Sequence, residues 1–227
     1  MAGFEGFPRE TLHFLAGLKA NNTKEWFEAH RKDYEDYVKG PSGAFVVVMG
    51  AKLKAISPAI KAIPKVNQSL FRVNRDTRFS ADKSPYKTNL GIWFWEGEKK
   101  RMECPGFYFH LDAGKLMLGV GMHVFSKESL NIYRDAVVDK RKGADLEKAV
   151  ACVSSAGYSI TGKHYKKVPR GFNASHKYAE FLLHNGLAAM KNEPIPEALL
   201  SAGIVDYAYS HFKNMAPIHA WLRMAMT

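Results

Sequence analysis

Charged and hydroxyl-bearing side chains are most concentrated between Arg72 and Lys87, a segment that we call the Arg-rich stretch. Arginine presents a planar fork of N–H donors that matches a carboxylate or a phosphate group. A carboxylate beside such groups can serve as a general base. The stretch therefore has the residue types of an anion-binding site, or of an ion-pair network that fixes a loop. Its charged residues are five cations and two carboxylates: Arg72, Arg75, Arg78, Lys83, Lys87, Asp76 and Asp82.

The excess of positive charge favours the binding of an anion. Five cations against two carboxylates leave a surplus of three positive charges, and a buried surplus is costly unless a counter-ion joins it. We therefore expect an anionic small molecule, bearing phosphate or carboxylate, to bind here, with Asp76 or Asp82 as the catalytic base if the protein is an enzyme. The expected ligand-binding residues are Arg72, Arg75, Arg78, Ser80, Lys83, Tyr86, Lys87, Tyr108 and His110.

Two other interpretations stay open. In the first, the protein is a nucleic-acid-binding module, in which the basic cluster from Lys163 to Arg170 and exposed Trp93 and Trp95 form a surface that stacks on bases. In the second, the protein is a non-catalytic scaffold, and Asp76 and Asp82 pair with the arginines in a purely structural network. The residue types alone do not separate these interpretations from a ligand-binding site.

Composition and charge narrow the class of protein. The chain has 227 residues with 46% hydrophobic and 12% aromatic content, which excludes a disordered chain and allows a full core. A formal charge of +11 favours attraction to polyanions. The longest apolar run, Ala44 to Ala51, is far shorter than the roughly 20 residues needed to cross a bilayer. Because the N-terminus also lacks the pattern of a secretory signal, we expect a cytoplasmic protein without a membrane partner.

Motifs for cofactors and metals are missing from the sequence. No Walker loop, GxGxxG turn, GxSxG elbow or HExxH motif occurs. The two cysteines, Cys104 and Cys152, lie far apart without the spacing of metal ligands, which favours reduced thiols. The sequence therefore predicts no cofactor and no metal, and it leaves the oligomeric state open.

Hydrophobic periodicity predicts the elements that must position these residues. Apolar residues recur every three to four positions in the first part of the chain, and they alternate after the Arg-rich stretch. We predict an α+β fold, with an antiparallel β-meander flanked by N-terminal and C-terminal helices, in a single domain over residues 1–227. Its parts are N-terminal helices at 8–57, the meander at 70–123, and helices and short strands at 126–227.

Two local signals predict the ends of the second helix. Asn22 is the predicted N-cap, because Glu25 follows it at the spacing of a capping box. Gly40-Pro41 is predicted to break the same helix, since proline lacks an N–H and glycine favours turns.

The sharpest structural prediction concerns a β-hairpin near residue 113. Only a two-residue loop that pairs Asp112 with Lys115 places the apolar side chains of both strands on one face. Those side chains are Phe107, Phe109, Leu111, Leu116, Leu118 and Val120. We expect glycines in the strands to leave room above the opposite face for a ligand. These glycines are Gly91, Gly119 and Gly121.

The Arg-rich stretch also carries a family resemblance. The string RDTRFSADKSPYK, together with the opening FEGFPRETLHFLAGLKANNTKEWF, resembles the uncharacterised family known as domain of unknown function 2461. The segments FYFHL to LGVGMHVF and VPRGFNASHKY fit the same pattern, whereas the C-terminal helices match least. Val73-Asn74 and Ala81 depart from the pattern, so we assign them no functional role. The resemblance implies an α+β fold in a cytoplasmic protein, and it brings no established activity with it.

Overall fold

The structure is a computed structural model and describes residues 3–226. Its strands are β1 (Asn89–Trp95), β2 (Gly106–Asp112), β3 (Lys115–Met122), β4 (Ser159–Lys163) and β5 (His184–Pro194). They form one antiparallel sheet in the order β1-β2-β3-β5-β4. Helices precede and follow the strands in the chain, so the predicted α+β class is confirmed.

The helices form two groups along the chain. The first group is α1 (Arg9–Ala20), α2 (Lys24–Ala29), α3 (Arg31–Asp33) and α4 (Gly40–Leu53), with a π-helical turn at Tyr34–Lys39 between the last two. The second group is α5 (Lys127–Val138), α6 (Lys140–Ser155) and α7 (Gly203–Met226). Short 3₁₀ turns lie at Arg101–Glu103, Ala179–Leu183 and Glu197–Leu200. Between residues 3 and 226, no helix has the length and apolar character needed to cross a membrane.

The chain divides into two compact units, each built from separate segments. The first unit comprises the described residues up to Phe94, together with Tyr108–Leu118 and Asn192–Ser210. The second comprises Trp95–Phe107, Gly119–Lys191 and the described residues from His211 onward. The single-domain interpretation of the sequence stays a prediction.

An aromatic cluster forms the core of the first unit. Phe7 stacks on Phe109 with their ring centroids 5.7 Å apart. Phe45 contacts Phe109 at 4.7 Å and Phe94 at 6.4 Å between ring centroids. All four rings are fully buried, and burying one such side chain contributes about 1.5 to 3 kcal/mol. The cluster therefore holds α4 against β1 and β2.

Tyr133 lies at the centre of the second unit's core. Its buried hydroxyl donates to the carbonyl of Phe181 at 3.0 Å, and Phe125 packs on its ring at 4.7 Å. Trp221 of α7 contacts the same ring edge-on, and its indole N–H donates to the carbonyl of Lys142 at 2.8 Å. Both rings are buried with their polar atoms hydrogen-bonded. These contacts bind α5, α6 and α7 together.

The predicted helix break at Gly40-Pro41 is wrong. The π-helical turn at Tyr34–Lys39 runs directly into α4, which begins at Gly40 with Pro41 in its first turn. Proline is tolerated there because the first N–H groups of a helix have no partner within the helix. The wider π-helical turn changes the hydrogen-bond pattern just before the proline. The chain therefore stays helical through Gly40-Pro41, a dipeptide that normally ends a helix.

The predicted hairpin burial is confirmed. The six apolar side chains of its two strands are all at most 1% exposed. Residues 113–114 form the turn between β2 and β3. The carboxylate of Asp112 accepts the backbone N–H groups of Gly114 and Lys115, both at 2.8 Å. Asp112, the first residue of the predicted Asp112–Lys115 pair, thus stabilises the turn.

Replacing Phe45 by alanine should destabilise the protein by about 3–5 kcal/mol, because the variant leaves a cavity in a packed aromatic cluster. Chemical denaturation followed by circular dichroism measures the change. Val47 lies on the same helix and is 57% exposed, so Val47→Ala is a matched control that should cost no more than about 0.5 kcal/mol. Equal losses in the two variants would contradict the position of α4.

Candidate functional site

Two extended segments, residues 71–75 and 85–89, lie side by side and form what we call the ribbon. The N–H of Arg75 donates to the carbonyl of Pro85 at 2.9 Å, and that of Lys87 to the carbonyl of Val73 at 2.8 Å. Asn74 and Tyr86 form an isolated antiparallel bridge between these two bonds. The predicted start of the meander near residue 70 is therefore too early, because only such isolated bridges precede β1.

Backbone pairing divides the ribbon's side chains between two faces. Successive side chains of extended backbone point to opposite faces, and cross-strand partners point to the same one. Arg75 and Lys87 consequently share one face of the ribbon, and Arg72 and Tyr86 share the other. Residues that are adjacent in the Arg-rich stretch are in this way separated by the backbone itself.

Asn22 anchors the ribbon to the N-terminal helices. Its side-chain amide donates to the carbonyl of Tyr86 at 2.9 Å and accepts the N–H of Tyr86 at 3.0 Å. The prediction of Asn22 as a helix N-cap is wrong, since the cap of α2 is Thr23, whose hydroxyl accepts the N–H of Trp26. The ring of Tyr86 also stacks on Phe27 at 4.2 Å between centroids.

Ion pairs within the Arg-rich stretch bind both of its carboxylates. Arg78 forms a bidentate pair with Asp76, with N–O distances of 2.9 and 2.7 Å. Arg75 donates to Asp82, to the carbonyl of Ser84 at 3.3 Å and to the hydroxyl of Ser80 at 3.4 Å. The arginines therefore fix the loop between the two segments of the ribbon.

The two lysines of the stretch bond to neutral carbonyl groups. Lys83 donates to the carbonyl of Thr77 at 2.9 Å, and Lys87 donates to that of Arg72 at 3.0 Å. The ammonium of Lys87 also lies over the ring of Phe71, 5.4 Å from its centroid. Neither carbonyl cancels the positive charge of the lysine that donates to it.

The predicted general bases have a low affinity for protons. Hydrogen bonds from the Ser84 hydroxyl, its backbone N–H and Arg75 lower the pKa of Asp82 to about 2. The side chain and backbone of Arg78 likewise lower the pKa of Asp76. A carboxylate with a lowered pKa is a weak base at neutral pH. The arrangement favours a positioning role for both carboxylates over the proton-accepting role predicted from the sequence.

One face of the ribbon lines an open cleft of about 480 Å³, which we call the Lys87 cleft. Ligand pockets in proteins commonly measure about 300 to 1,000 Å³. Two cations line this cleft against one carboxylate, and Arg78 already occupies both oxygens of that carboxylate. The lining residues are Phe71, Arg75, Asp76, Lys87, Asn89, Tyr108 and His110.

A neutral hydrogen-bonded group forms one side of the Lys87 cleft. The hydroxyl of Tyr108 lies 3.2 Å from Nδ1 of His110, and the side-chain nitrogen of Asn89 lies 3.4 Å from the same atom. Burial raises the pKa of Tyr108 to about 12 and lowers the pKa of His110. The three side chains therefore form one uncharged group within hydrogen-bonding distance of one another.

The other face of the ribbon lines a second cleft of about 320 Å³, which we call the Arg72 cleft. Its aromatic wall is formed by Phe27, Tyr34 and Tyr86. Four cations and one carboxylate surround that wall: Lys24, Arg31, Lys39, Arg72 and Glu28. The structure therefore distributes the predicted ligand-binding residues between two separate clefts.

Four predicted site residues line neither cleft: Arg78, Ser80, Asp82 and Lys83. They lie in the loop beyond the ribbon, where the side chain of Arg78 is 77% exposed. Sequence reasoning also missed Phe71 and Asn89, which line the Lys87 cleft. Phe71 lies two residues before Val73, and Asn89 lies two residues after Lys87. The alternation of side chains in extended backbone could therefore have indicated that each shares a face with that residue.

The space beside the strand glycines is filled by the protein itself, which corrects the prediction of a ligand there. An added Cβ at Gly91 would lie 2.9 Å from the hydroxyl oxygen of Tyr108, and one at Gly119 would lie 2.8 Å from the sulfur of Met190. One at Gly121 would meet the backbone of Leu187. These glycines admit neighbouring protein groups, and the clefts lie elsewhere.

The two tryptophans proposed to stack on nucleic-acid bases are buried. Trp93 is 7% exposed and Trp95 is 5% exposed, because nearly every residue of β1 is covered on both faces. The expectation that these side chains are exposed is therefore wrong. A stacking surface for single-stranded nucleic acid needs exposed rings. Trp93 and Trp95 therefore do not support the nucleic-acid interpretation.

Comparison with known proteins gives one match. The family described as conserved hypothetical protein (DUF2461) matches residues 10–221. No curated protein matches the chain. The match includes both segments of the ribbon and every residue that lines either cleft.

We predict that Ser84→Ala raises the pKa of Asp82 from about 2 towards its ordinary value of 3.8, because the Ser84 hydroxyl is the strongest cause of the lowering. Carboxyl carbon shifts followed by NMR through an acid titration measure this pKa. The lowered pKa means that the carboxylate stabilises the fold above about pH 3.8, and that this contribution is lost as the pH falls towards 2.

Ser80→Ala is the matched control for that variant. The Ser80 hydroxyl contacts Arg75, so its removal should leave the pKa of Asp82 close to about 2. An equal rise in both variants would show that the Ser84 hydroxyl has no particular role.

Proposed function

The chain belongs to the DUF2461 family, and we propose that its Lys87 cleft binds a small anionic molecule that carries a phosphate or carboxylate group. The observation that carries the proposal is the meeting of two cations, Arg75 and Lys87, with neutral hydrogen-bonding groups in one cleft. A solvated lysine or arginine on a convex surface would need no such neighbours. The proposal includes the cytoplasmic location predicted from the sequence.

The charges of the cleft support an anion as the ligand. Asp76 is its one lining carboxylate, and the bidentate bond to Arg78 occupies it. Arg75 is held by Asp82 from outside the cleft. The ammonium of Lys87 donates to a carbonyl and lies over an aromatic ring, both of which are neutral. Cations outnumber carboxylates among the residues that line the cleft, which favours an arriving carboxylate or phosphate.

The neutral side of the cleft supplies direction. We propose that Nδ1 of His110 accepts from the Asn89 amide, 3.4 Å away, which leaves the ring proton on Nε2 as a donor towards the ligand. Neutral donors add geometric selection to the charge of Lys87, since each hydrogen bond requires an acceptor at a defined position. Phe71 closes the remaining side with an apolar ring. The set resembles a pocket in which a few polar groups orient a ligand against an apolar wall.

Chemistry at this site, if the bound molecule is turned over, would involve Tyr108 and His110 rather than the aspartates. Burial keeps both side chains neutral at physiological pH, whereas Asp76 and Asp82 have lowered pKa values. A neutral imidazole in contact with a phenol can accept or relay a proton. The reaction type stays outside the proposal, which concerns binding.

The rival interpretation is a structural network. Within residues 3–226, each cation of the Arg-rich stretch except Arg72 has a hydrogen-bond or ion-pair partner, and such contacts alone could specify the loop. The two interpretations predict different effects on anion binding when a lysine charge is removed, because Lys87 lines the cleft and Lys83 does not.

Lys87→Gln should weaken the binding of citrate or inorganic phosphate about tenfold or more, since a charge-assisted hydrogen bond contributes about 1.5–3 kcal/mol. Titrations followed by ¹H–¹⁵N NMR measure the affinity, with the side-chain amide of Asn89 as the reporter inside the cleft. Lys83→Gln is the matched control, because Lys83 also bonds to one carbonyl of the stretch but lines no cleft. It should change the affinity less than about twofold.

Absence of a saturable Asn89 response to both anions in the wild type would remove the proposal. Equal weakening by the two lysine variants would reduce the site to general electrostatic attraction. A large fall in the melting temperature of Lys87→Gln, without any wild-type binding, would favour the scaffold interpretation.

A further inference from the structure

The Arg72 cleft has its own balance of charges. Arg31 is paired with Glu28 by two bonds of 2.8 and 2.6 Å, and Lys39 is paired with Glu35 at 2.6 Å. Across residues 3–226, no hydrogen bond or ion pair joins the side chain of Lys24 or that of Arg72 to another residue. Two positive charges therefore remain at this cleft after the local pairs are formed.

Asp76 and Glu25 also lie within electrostatic range of residues in this cleft, and neither forms a hydrogen bond or ion pair with Lys24 or Arg72 among residues 3–226. Asp76 is close enough for Arg72 to lower its pKa, but Arg78 is the larger cause and occupies both of its oxygens. The two remaining cations come from different parts of the chain, Lys24 from the start of α2 and Arg72 from the ribbon. Their convergence on one cleft is a product of the fold.

Tyr86 adds a positioned hydroxyl to this cleft. The residue is only 5% exposed, with its ring stacked on Phe27 and its backbone bound by Asn22 on both sides. Its hydroxyl makes no hydrogen bond to any residue between 3 and 226. Burial raises its pKa, so it is a donor at neutral pH. The hydroxyl is therefore available to donate to a ligand in the cleft that Tyr86 lines.

We infer that the Arg72 cleft binds a phosphoryl group as a dianion, held by the Arg72 guanidinium, the Lys24 ammonium and the Tyr86 hydroxyl. Two unbalanced cations match the two negative charges of a phosphate monoester at neutral pH. A guanidinium fork and two further donors match its three terminal oxygens, whereas a carboxylate has only two oxygens and one charge. The site is distinct from the Lys87 cleft and does not depend on the function proposed there.

Titration of the wild-type protein with phenyl phosphate tests the inference, with the side-chain amide of Asn74 as the reporter in the Arg72 cleft. We expect a saturable shift that weakens below about pH 6, where the dianion takes up a proton and becomes a monoanion. Benzoate should bind at least about tenfold more weakly, because it has one charge and two oxygens. A parallel titration with inorganic phosphate shows whether the phosphoryl group alone is sufficient for binding or whether the phenyl ester is needed. Saturable binding of phenyl phosphate or of inorganic phosphate supports the site.

Two variants and two matched controls separate this cleft from general charge effects. Arg72→Gln should weaken the binding of phenyl phosphate, as reported by Asn74, by about tenfold or more. Lys83→Gln removes a cation of the same stretch that bonds to a carbonyl and lines neither cleft, so it should leave that binding unchanged. Tyr86→Phe keeps the ring and removes the hydroxyl, and it should weaken binding several-fold. Tyr37→Phe removes an exposed hydroxyl from the same helical region as a control.

The inference is overturned by any of three results: no saturable response at Asn74, benzoate binding as tightly as phenyl phosphate, or equal weakening by Arg72→Gln and Lys83→Gln. Because Asn89 reports on the Lys87 cleft and Asn74 on the Arg72 cleft, failure at one site is visible separately from failure at the other.

Discussion

The pairing of residues 71–75 with residues 85–89 is the constraint on which the candidate sites depend. Two backbone hydrogen bonds establish it, and together they define the bridge between Asn74 and Tyr86. Once the two segments are paired, alternation leaves no choice about which side chains share a face. A shift of one residue in this pairing would send Lys87 to the side of Arg72 and Tyr86 to the side of Arg75.

The pairing is short, so other parts of the protein must support it. Asn22 binds the N–H and the carbonyl of Tyr86, and the stacking of Tyr86 on Phe27 extends the contact into the core of the first unit. The loop at the far end is held by Arg75 and Asp82. The ion pairs of the loop and the charges of the clefts thus have separate roles, because the former fix the backbone and the latter face open space.

The division of the Arg-rich stretch also changes the chemistry that it can support. A single socket with five cations would strongly attract any polyanion. Two clefts on opposite faces each hold a smaller surplus, and each has its own neutral groups: Asn89, Tyr108 and His110 in one, Tyr34 and Tyr86 in the other. Selectivity in each cleft then depends on the placement of hydrogen-bonding groups as much as on charge.

Several features could be predicted from the sequence because they depend on neighbouring residues. The switch from helical to alternating period indicated the α+β class, and burial of both sets of apolar side chains in the hairpin followed from alternation alone. The density of arginine, lysine and aspartate located the stretch that contains the ribbon. Resemblance of the same residues to the DUF2461 family agreed with the match over residues 10–221.

The remaining features required the tertiary structure, since they depend on residues far apart in the chain. Asn22 lies 64 positions from Tyr86, and a local capping pattern could not show that its side chain bonds there. The glycines of the sheet indicated open space, but Tyr108 and Met190 occupy it. The pairing of the ribbon decided which cations meet Tyr108 and His110, because local alternation orders side chains along one segment but does not determine which segment lies beside it.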